Sequence, residues 1–195
     1  MPTDFEEQSY WHERFKSETS FEWLAPSSVF MDVLRPRLQH LPKSARILQV
    51  GPGTSDLHNH LRNEGFVRVT NVDYEPLAIQ RGQQLEEDVF GDVQMEYLVG
   101  DATRLDLDEK YQVVIDKSTA DAVSCRGSDA VVAMAEGIYR CLERGGFWVS
   151  LSFSQSRFEH VRSMFDVEVI GKLATPKARP NDPDIFYYYY LLRPQ

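Results

Sequence analysis

Beginning at Ile47, short runs of aliphatic and β-branched residues alternate with stretches whose apolar side chains recur at helical spacing, and the first run closes on Gly51-Pro52-Gly53. Few architectures accommodate this rhythm. Strands joined by helical crossovers form a parallel sheet with helices on both faces, the α/β class. Residues 47–50, 68–72, 96–99, 112–115 and 147–151 predict five parallel strands. Helices are predicted over 55–64, 75–87 and 130–143, the last stopped by Gly145-Gly146. After residue 155 the pattern changes. A helix over 157–164, an apolar run at 167–171, a loop over 174–184 carrying Pro176, Pro180 and Pro183, and an aromatic run at 186–192 predict an antiparallel C-terminal hairpin. That loop reads either as a lip of a substrate cleft or as a passive connection. Residues 1–46 read as a helical cap on a core spanning 47–195, together one domain, since 195 residues fall within the usual span of roughly 50 to 250.

Charge narrows the partners. A formal net charge of -9, from 30 acidic and 21 basic side chains, repels a phosphate backbone and disfavours nucleic acid, while it favours a basic partner such as a lysine-bearing protein surface. The chain starts Met1-Pro2-Thr3-Asp4-Phe5-Glu6-Glu7, without a basic-then-apolar signal segment, and contains two cysteines, Cys125 and Cys141. No apolar run approaches the roughly 20 residues that span a bilayer, and no lipidation motif is visible. The expectation is a cytoplasmic protein in a reducing compartment, with no membrane partner and an oligomeric state that the sequence does not specify.

A glycine turn between a first strand and a helix lets a ligand approach the backbone, and Gly51-Pro52-Gly53-Thr54 has that placement. In the dinucleotide fingerprint G-x-G-x-x-G the third position is small; here it is Asp56, which counts against a nicotinamide or flavin dinucleotide and against phosphate. A ligand bearing an ammonium or sulfonium group tolerates that carboxylate. Asp73 follows Gly53 by 20 residues at the end of the second strand, where a carboxylate can accept from both ribose hydroxyls. The competing reading of Asp73 is a turn or N-cap aspartate. Tyr74 packs either on an adenine or on its own helix. Gly100-Asp101-Ala102 ends the third strand, so Asp101 can face an adenine amino group.

The segments Tyr10-Trp11-His12-Glu13-Arg14-Phe15, Phe21-Glu22-Trp23-Leu24, Ile47-Leu48-Gln49-Val50-Gly51-Pro52-Gly53, Asn71-Val72-Asp73-Tyr74 and Val113 to Ala122 together resemble the elongation factor 1A lysine methyltransferases of the class I, seven-strand type. The resemblance runs to about Leu151. It implies a Rossmann-like seven-strand methyltransferase sheet and S-adenosylmethionine as cofactor. It also implies a cofactor site built by Trp11, Phe15, Phe21, Gly51 and Gly53, Asp73 with Tyr74, Asp101 with Ala102, and Lys117. The sequence departs from the family pattern in having Phe15 and Phe21 where tyrosine is common, and Pro52 and Thr54 where cysteine and asparagine stand. The alternatives are that Trp11, Phe15 and Phe21 are core aromatics of the cap, that Lys117 is an exposed strand-end lysine, and that Ser118 and Asp121 form a capping box.

A methyl sulfonium is already activated, so the protein has to align nucleophile and methyl and exclude water. A lysine nucleophile with a reference pKa of about 10.4 costs about 4.6 kcal/mol to neutralise at pH 7. Asp116 and Asp121, after the fourth strand, are the candidate catalytic groups. Many amine-directed relatives of this fold carry an Asn/Asp-Pro-Pro-aromatic segment there; Asp116-Lys117-Ser118-Thr119 instead argues against nucleic-acid-base or glutamine methylation. No metal site is expected, because His58 and His60 are two apart and no H-E-x-x-H or paired C-x-x-C occurs. A G-x-S-x-G elbow is also missing. The leading reading is a protein-lysine methyltransferase. A small-molecule N-, O- or S-methyltransferase and a non-catalytic cofactor-binding module are the alternatives.

Overall fold

The computed structural model describes residues 5–177, 179 and 181–195; the acidic start at 1–4 and Pro180 of the proline-rich loop lie outside them. Seven strands form one sheet. At its centre β1 (Ile47–Val50) lies between β2 (Val69–Asp73) and β4 (Tyr111–Lys117). β3 (Glu96–Val99) extends it beyond β2, β5 (Leu142–Ser152) flanks β4, and these five run parallel. The antiparallel hairpin is present with its order reversed, since β7 (Phe186–Pro194) pairs with β5 and places β6 (Phe165–Ala174) at the sheet edge.

Both faces are covered. On one, α2 (Ser27–Leu38) buries Phe30, Met31, Leu34 and Leu38, and α3 (Leu57–Asn63) adds Leu57 and Leu61 over Ile47, Val113, Ile115 and Val149. On the other, α6 (Ser128–Cys141) buries Val131, Met134, Ala135 and Ile138 over Leu48, Val50, Val114 and Trp148. Each of the larger aliphatic and phenylalanine side chains contributes roughly 1.5–3 kcal/mol when removed from water. Along β1 and β4, successive residues therefore belong to opposite layers. α4 (Pro76–Phe90) begins with Pro76 after the Glu75 cap and ends at Gly91 in the left-handed conformation.

Two sequence expectations are corrected. The predicted helix over 157–164 consists of turns around a single 3-10 turn, Glu159–Val161. Phe158 and Val161 are buried and Met164 packs partly against the same core, a spacing of three that matches a 3-10 repeat better than an α-helix. Gly145-Gly146 does not stop α6, which ends at Cys141 where the chain turns extended; β5 begins at once and runs through both glycines. There Gly145 has φ +81 and the β4–β5 register shifts between Tyr111 and Val113. A side chain at Gly146 would meet three carbonyl oxygens at 3.0 Å, so the glycine pair forms a bulge.

β1 leads away through β2 and β3, whereas β4 and β5 lie on its other side. The carboxyl ends of β1 and β4 thus diverge at a switch point, where an open α/β sheet leaves a crevice. α1 (Gln8–Ser17) buries none of its residues in the sheet layers. It belongs to a strap, residues 5–25, that contacts the loops at this edge. The β6–β7 loop emerges at the same edge beyond β7, and none of its described residues lines the crevice.

Candidate cofactor and acceptor site

The crevice is a cavity of about 420 Å³. Its floor starts at Gly51, whose amide donates to the Val72 carbonyl at 2.7 Å and whose φ is +64. A Cβ at Gly51 would lie 2.2 Å from Thr119 Oγ1, and that hydroxyl donates to the Val50 carbonyl at 2.9 Å. Asp73 is buried beside this loop: Oδ2 accepts from the Gly53 amide and Oδ1 from the Glu75 amide, both at 3.0 Å. Burial pushes its pKa up to about 6, with the amide bonds acting in the opposite sense. Asp73 is therefore both a turn residue and part of the cavity wall. Asp101 Oδ1 caps the 3-10 turn Ala102–Arg104 through the Thr103 amide and hydroxyl, each at 2.8 Å, and Oδ2 lies 3.9 Å from Arg126. Tyr74 and Ala102 complete this side.

Trp11, Phe15, Phe5 and Trp23 form the roof. Trp11 lies 5.6 Å from Phe15 and 5.7 Å from Trp23 between ring centroids, and its indole nitrogen donates to the Phe5 carbonyl at 2.8 Å. Phe21, implied by the resemblance as a third member, is placed elsewhere. It is 41% exposed, packs on Trp23 and Arg14, and is not among the cavity-lining residues. Polar contacts tie the strap down. Glu18 accepts from Thr54 Oγ1 at 2.7 Å, and Glu22 accepts from Ser27, Ser55 and the Asp56 amide. Arg126 donates to the Glu6 carbonyl.

Lys117 is buried rather than exposed. Its Nζ donates to Glu22 Oε2 at 2.5 Å, to the Trp23 carbonyl at 3.1 Å and to the Ala25 carbonyl at 3.3 Å. Burial lowers its pKa against the opposing pull of Glu22. All three ammonium protons are taken, so Lys117 contributes its stem to the cavity wall and its charge to the strap.

The two candidate catalytic aspartates separate. Asp116 shares the layer of Val114 and Trp148, where Oδ1 accepts from the Ala120 amide at 3.0 Å and Oδ2 from Trp148 Nε1 at 2.8 Å. It is fully buried and is not part of the cavity wall, which corrects its expected place beside an acceptor. Strand alternation explains this, since Asp116 follows Val114 by two residues and faces the same core. Asp121 is in the wall. It does not form a capping box: Ser118 has φ +73 and its side chain makes no capping bond to α5 (Thr119–Val123). Instead Oδ1 accepts from Ser152 Oγ at 2.5 Å and from Arg157 Nε at 2.9 Å, and Oδ2 accepts from the Phe153 amide at 3.0 Å. Burial raises its pKa despite these donors.

Several lining residues were not read as site residues from sequence: Phe5, Trp23, Gln49, Arg126 and Phe153. Trp23 and Gln49 stand inside the quoted motifs; the other three carry no local signal. Among the described residues no group of three His, Cys, Asp or Glu could hold a metal. His58 is fully buried against Tyr97, and burial lowers its pKa to about 4.

The wall selects a class of ligand. Glu22 occupies the Asp56 amide at the start of α3, where a dinucleotide fold would bind phosphate, and Glu18 occupies the Thr54 hydroxyl. Gln49 is 2% exposed, lines the cavity, and its Oε1 has no donor among the described residues. An orphaned acceptor among carboxylates fits a ligand with N–H donors and positive charge, carried on a phosphate-free nucleoside.

Comparison with known proteins agrees. The pattern of the methyltransferase domain family matches residues 48–150. Methyltransferase srdJ of Neurospora crassa is 58% identical over 201 residues, covering 100% of this chain and 86% of that protein. The eEF1A lysine and N-terminal methyltransferase homolog of Drosophila melanogaster is 31% identical over 165 residues, 81% of this chain, which spans only 23% of that relative's length. Among solved structures, the N-methyltransferase NodS of Bradyrhizobium japonicum with S-adenosyl-L-homocysteine superposes with a TM-score of 0.68 at 13% identity, covering 93% of this chain and 98% of that one. Magnesium protoporphyrin IX methyltransferase of Synechocystis with bound SAM gives 0.70 at 12% identity, covering 99% and 98%. These two likenesses show the fold.

Proposed function

The chain belongs to the S-adenosylmethionine-dependent methyltransferases of the methyltransferase domain family, and from that premise we propose that its acceptor is an amine, the side chain of a protein lysine. The cofactor supplies a methyl group already activated on sulfonium. In this reading the Asp73 carboxylate receives the ribose hydroxyls, Asp101 and Ala102 with Tyr74 flank the adenine, Gly51 and Gly53 admit the ligand to the backbone, and Gln49 Oε1 takes an N–H of its amino-acid end. Trp11 and Phe15 exclude water from above. Lys117 acts indirectly, through Glu22.

The observation that carries the amine reading is Asp121, a buried carboxylate in the cavity wall just after β4. Ammonium is no nucleophile until it loses a proton, and Asp121 is an acidic group of the cavity wall with an oxygen, Oδ2, that accepts a single bond from the described residues. Relatives 27–31% identical bear names that describe elongation factor 1A lysine methylation, and a net charge of -9 favours a basic partner. We further propose that residues 1–195 act as one domain, in the cytoplasm.

A small-molecule acceptor is the second reading. The roof of Phe5, Trp11 and Trp23 covers the cavity, which suits a free small substrate as well as a slender side chain. Incubating a cell extract with the enzyme and cofactor labelled on its methyl group, then separating protein from small molecules, discriminates between them. Label in protein, removed by competition with lysine-rich peptides, is expected. Label confined to the small-molecule fraction would overturn the lysine reading.

A further inference from the structure

We propose that Arg157 is a positioning residue for the methyl acceptor: with Ser152 and the Phe153 amide it holds the Asp121 carboxylate charged in the cavity wall, where Asp121 takes a proton from the acceptor ammonium. The proposal rests on the amine reading above and adds two residues, Arg157 and Ser152, that neither motif nor family pattern marks.

The geometry is specific. Arg157 sits in the turn after β5, within the segment the sequence had predicted as a helix, and its side chain is 12% exposed. Its one ion pair among the described residues is with Asp121, through Nε at 2.9 Å. The guanidinium carbon also lies 5.1 Å above the Phe153 ring, so the same side chain packs on the aromatic at the cavity rim, itself 55% exposed. Asp121 Oδ1 is saturated by Ser152 and Arg157, whereas among the described residues Oδ2 accepts only from the Phe153 amide and keeps acceptor capacity. Among the described residues Asp121 contacts no other cation. The groups facing it are Asp116 from β4, Cys125 in the 3-10 turn that follows α5, and Tyr190 from β7, with Glu6 of the strap acting on the same Cys125. Arg157 is therefore the positive charge that offsets a buried carboxylate among acidic neighbours.

The proton balance is simple. One N–H bond of the acceptor ammonium breaks and its electron pair stays on nitrogen as the nucleophilic lone pair. The proton forms an O–H bond on Asp121 and later leaves to solvent, restoring the carboxylate beside Arg157. A purely structural Arg157 would tie the turn to α5 but would leave the titration of Asp121 unrelated to turnover.

Two readouts test this. The first is a carbon-13 carboxyl NMR titration of Asp121, assigned with Asp121→Asn, in the wild-type protein and in Arg157→Met and Arg157→Lys. Removing the charge raises the Asp121 midpoint by about one unit or more, and lysine keeps it near the wild-type position. The second is the pH profile of kcat/KM for methyl label incorporation, in whichever fraction of the extract carries label. Its acid limb moves up by the same amount in Arg157→Met and is restored in Arg157→Lys. An unmoved Asp121 midpoint in a folded Arg157→Met protein overturns the proposal, as does a midpoint that moves while the limb stays. If Arg157→Met does not fold, Ser152→Ala, which removes an uncharged donor to the same oxygen, gives a smaller upward shift of both. Label found only in small molecules would sink the lysine reading, while the NMR titration and the limb would still decide the role of Arg157.

Discussion

Glu22 and Lys117, 95 positions apart in the chain, meet in a 2.5 Å ion pair beside the cavity that Lys117 lines. The pair joins the strap to the end of β4. The carboxylate also accepts from Ser27, Ser55 and the Asp56 amide, so one side chain gathers donors from α2, the glycine loop and the central sheet.

Breaking that pair on one side leaves a charge without its partner. Lys117→Met is expected to destabilise the fold by about 2–3 kcal/mol, below the cost of a fully buried pair because Glu22 retains some exposure. Lys117→Met with Glu22→Gln should recover more than half of the loss. Urea denaturation of the three proteins measures this; equal losses in the single and double variants would mean that the charge itself contributes nothing.

Asp73 makes cofactor binding pH-dependent. Burial raises its pKa to about 6, so the carboxylate takes up a proton as pH falls through that value. Only the ionised form can accept two ribose hydroxyls, so affinity should be flat above about pH 7 and fall towards tenfold per unit well below 6. Calorimetry with S-adenosylhomocysteine from pH 5 to 8 checks the sign and the window. Asp73→Asn should bind weakly with no such slope.

His58 opposes acid. Its pKa is lowered from 6.5 to about 4, so between these values the unfolded chain binds a proton that the folded one refuses, and stability falls as pH drops through that window. The full effect is about 3 kcal/mol. Asp73 and Asp116, both raised to about 6, act in the opposite direction and favour the folded state as pH drops. The contribution of His58 is isolated by comparing wild type with His58→Leu at pH 4.5 and 7. The variant should lose less stability on acidification, and parallel losses would contradict the assignment.

Trp11 and Phe21 should differ sharply although the resemblance pairs them. Trp11→Ala removes part of the roof and is expected to weaken cofactor binding roughly tenfold or more, by the loss of a buried aromatic contact. Phe21→Ala, at a position 41% exposed outside the cavity wall, should change affinity by less than about twofold. Equal effects in calorimetry would show that the strap binds as a unit.

Much of the cofactor side was readable in the sequence because its residues sit at the ends of strands, where local structure fixes position. Gly51 follows β1 directly, Asp73 is the last residue of β2 and Asp101 lies two residues past β3, and parallel strands end at a common edge, so three local motifs predict one site. Conformational need was legible there as well: the loop requires φ +64 at Gly51, with no room for a side chain. The acceptor side was less accessible. Asp116 and Asp121 are equivalent as letters near a strand end, yet one lies in the core layer beside Trp148 and the other in the cavity wall.

The sequence by itself determined the rhythm of strands and helices, the glycine turn and the acidic strand ends, since periodicity and backbone preference act between near neighbours. Only the tertiary structure decided which aromatics of the strap face the cavity, that Lys117 spends its charge on Glu22, and that Arg157 meets Asp121 36 residues away. Those outcomes depend on which faces of separate elements come together, and on burial that makes an unpaired charge costly, conditions that exist only once the chain has packed.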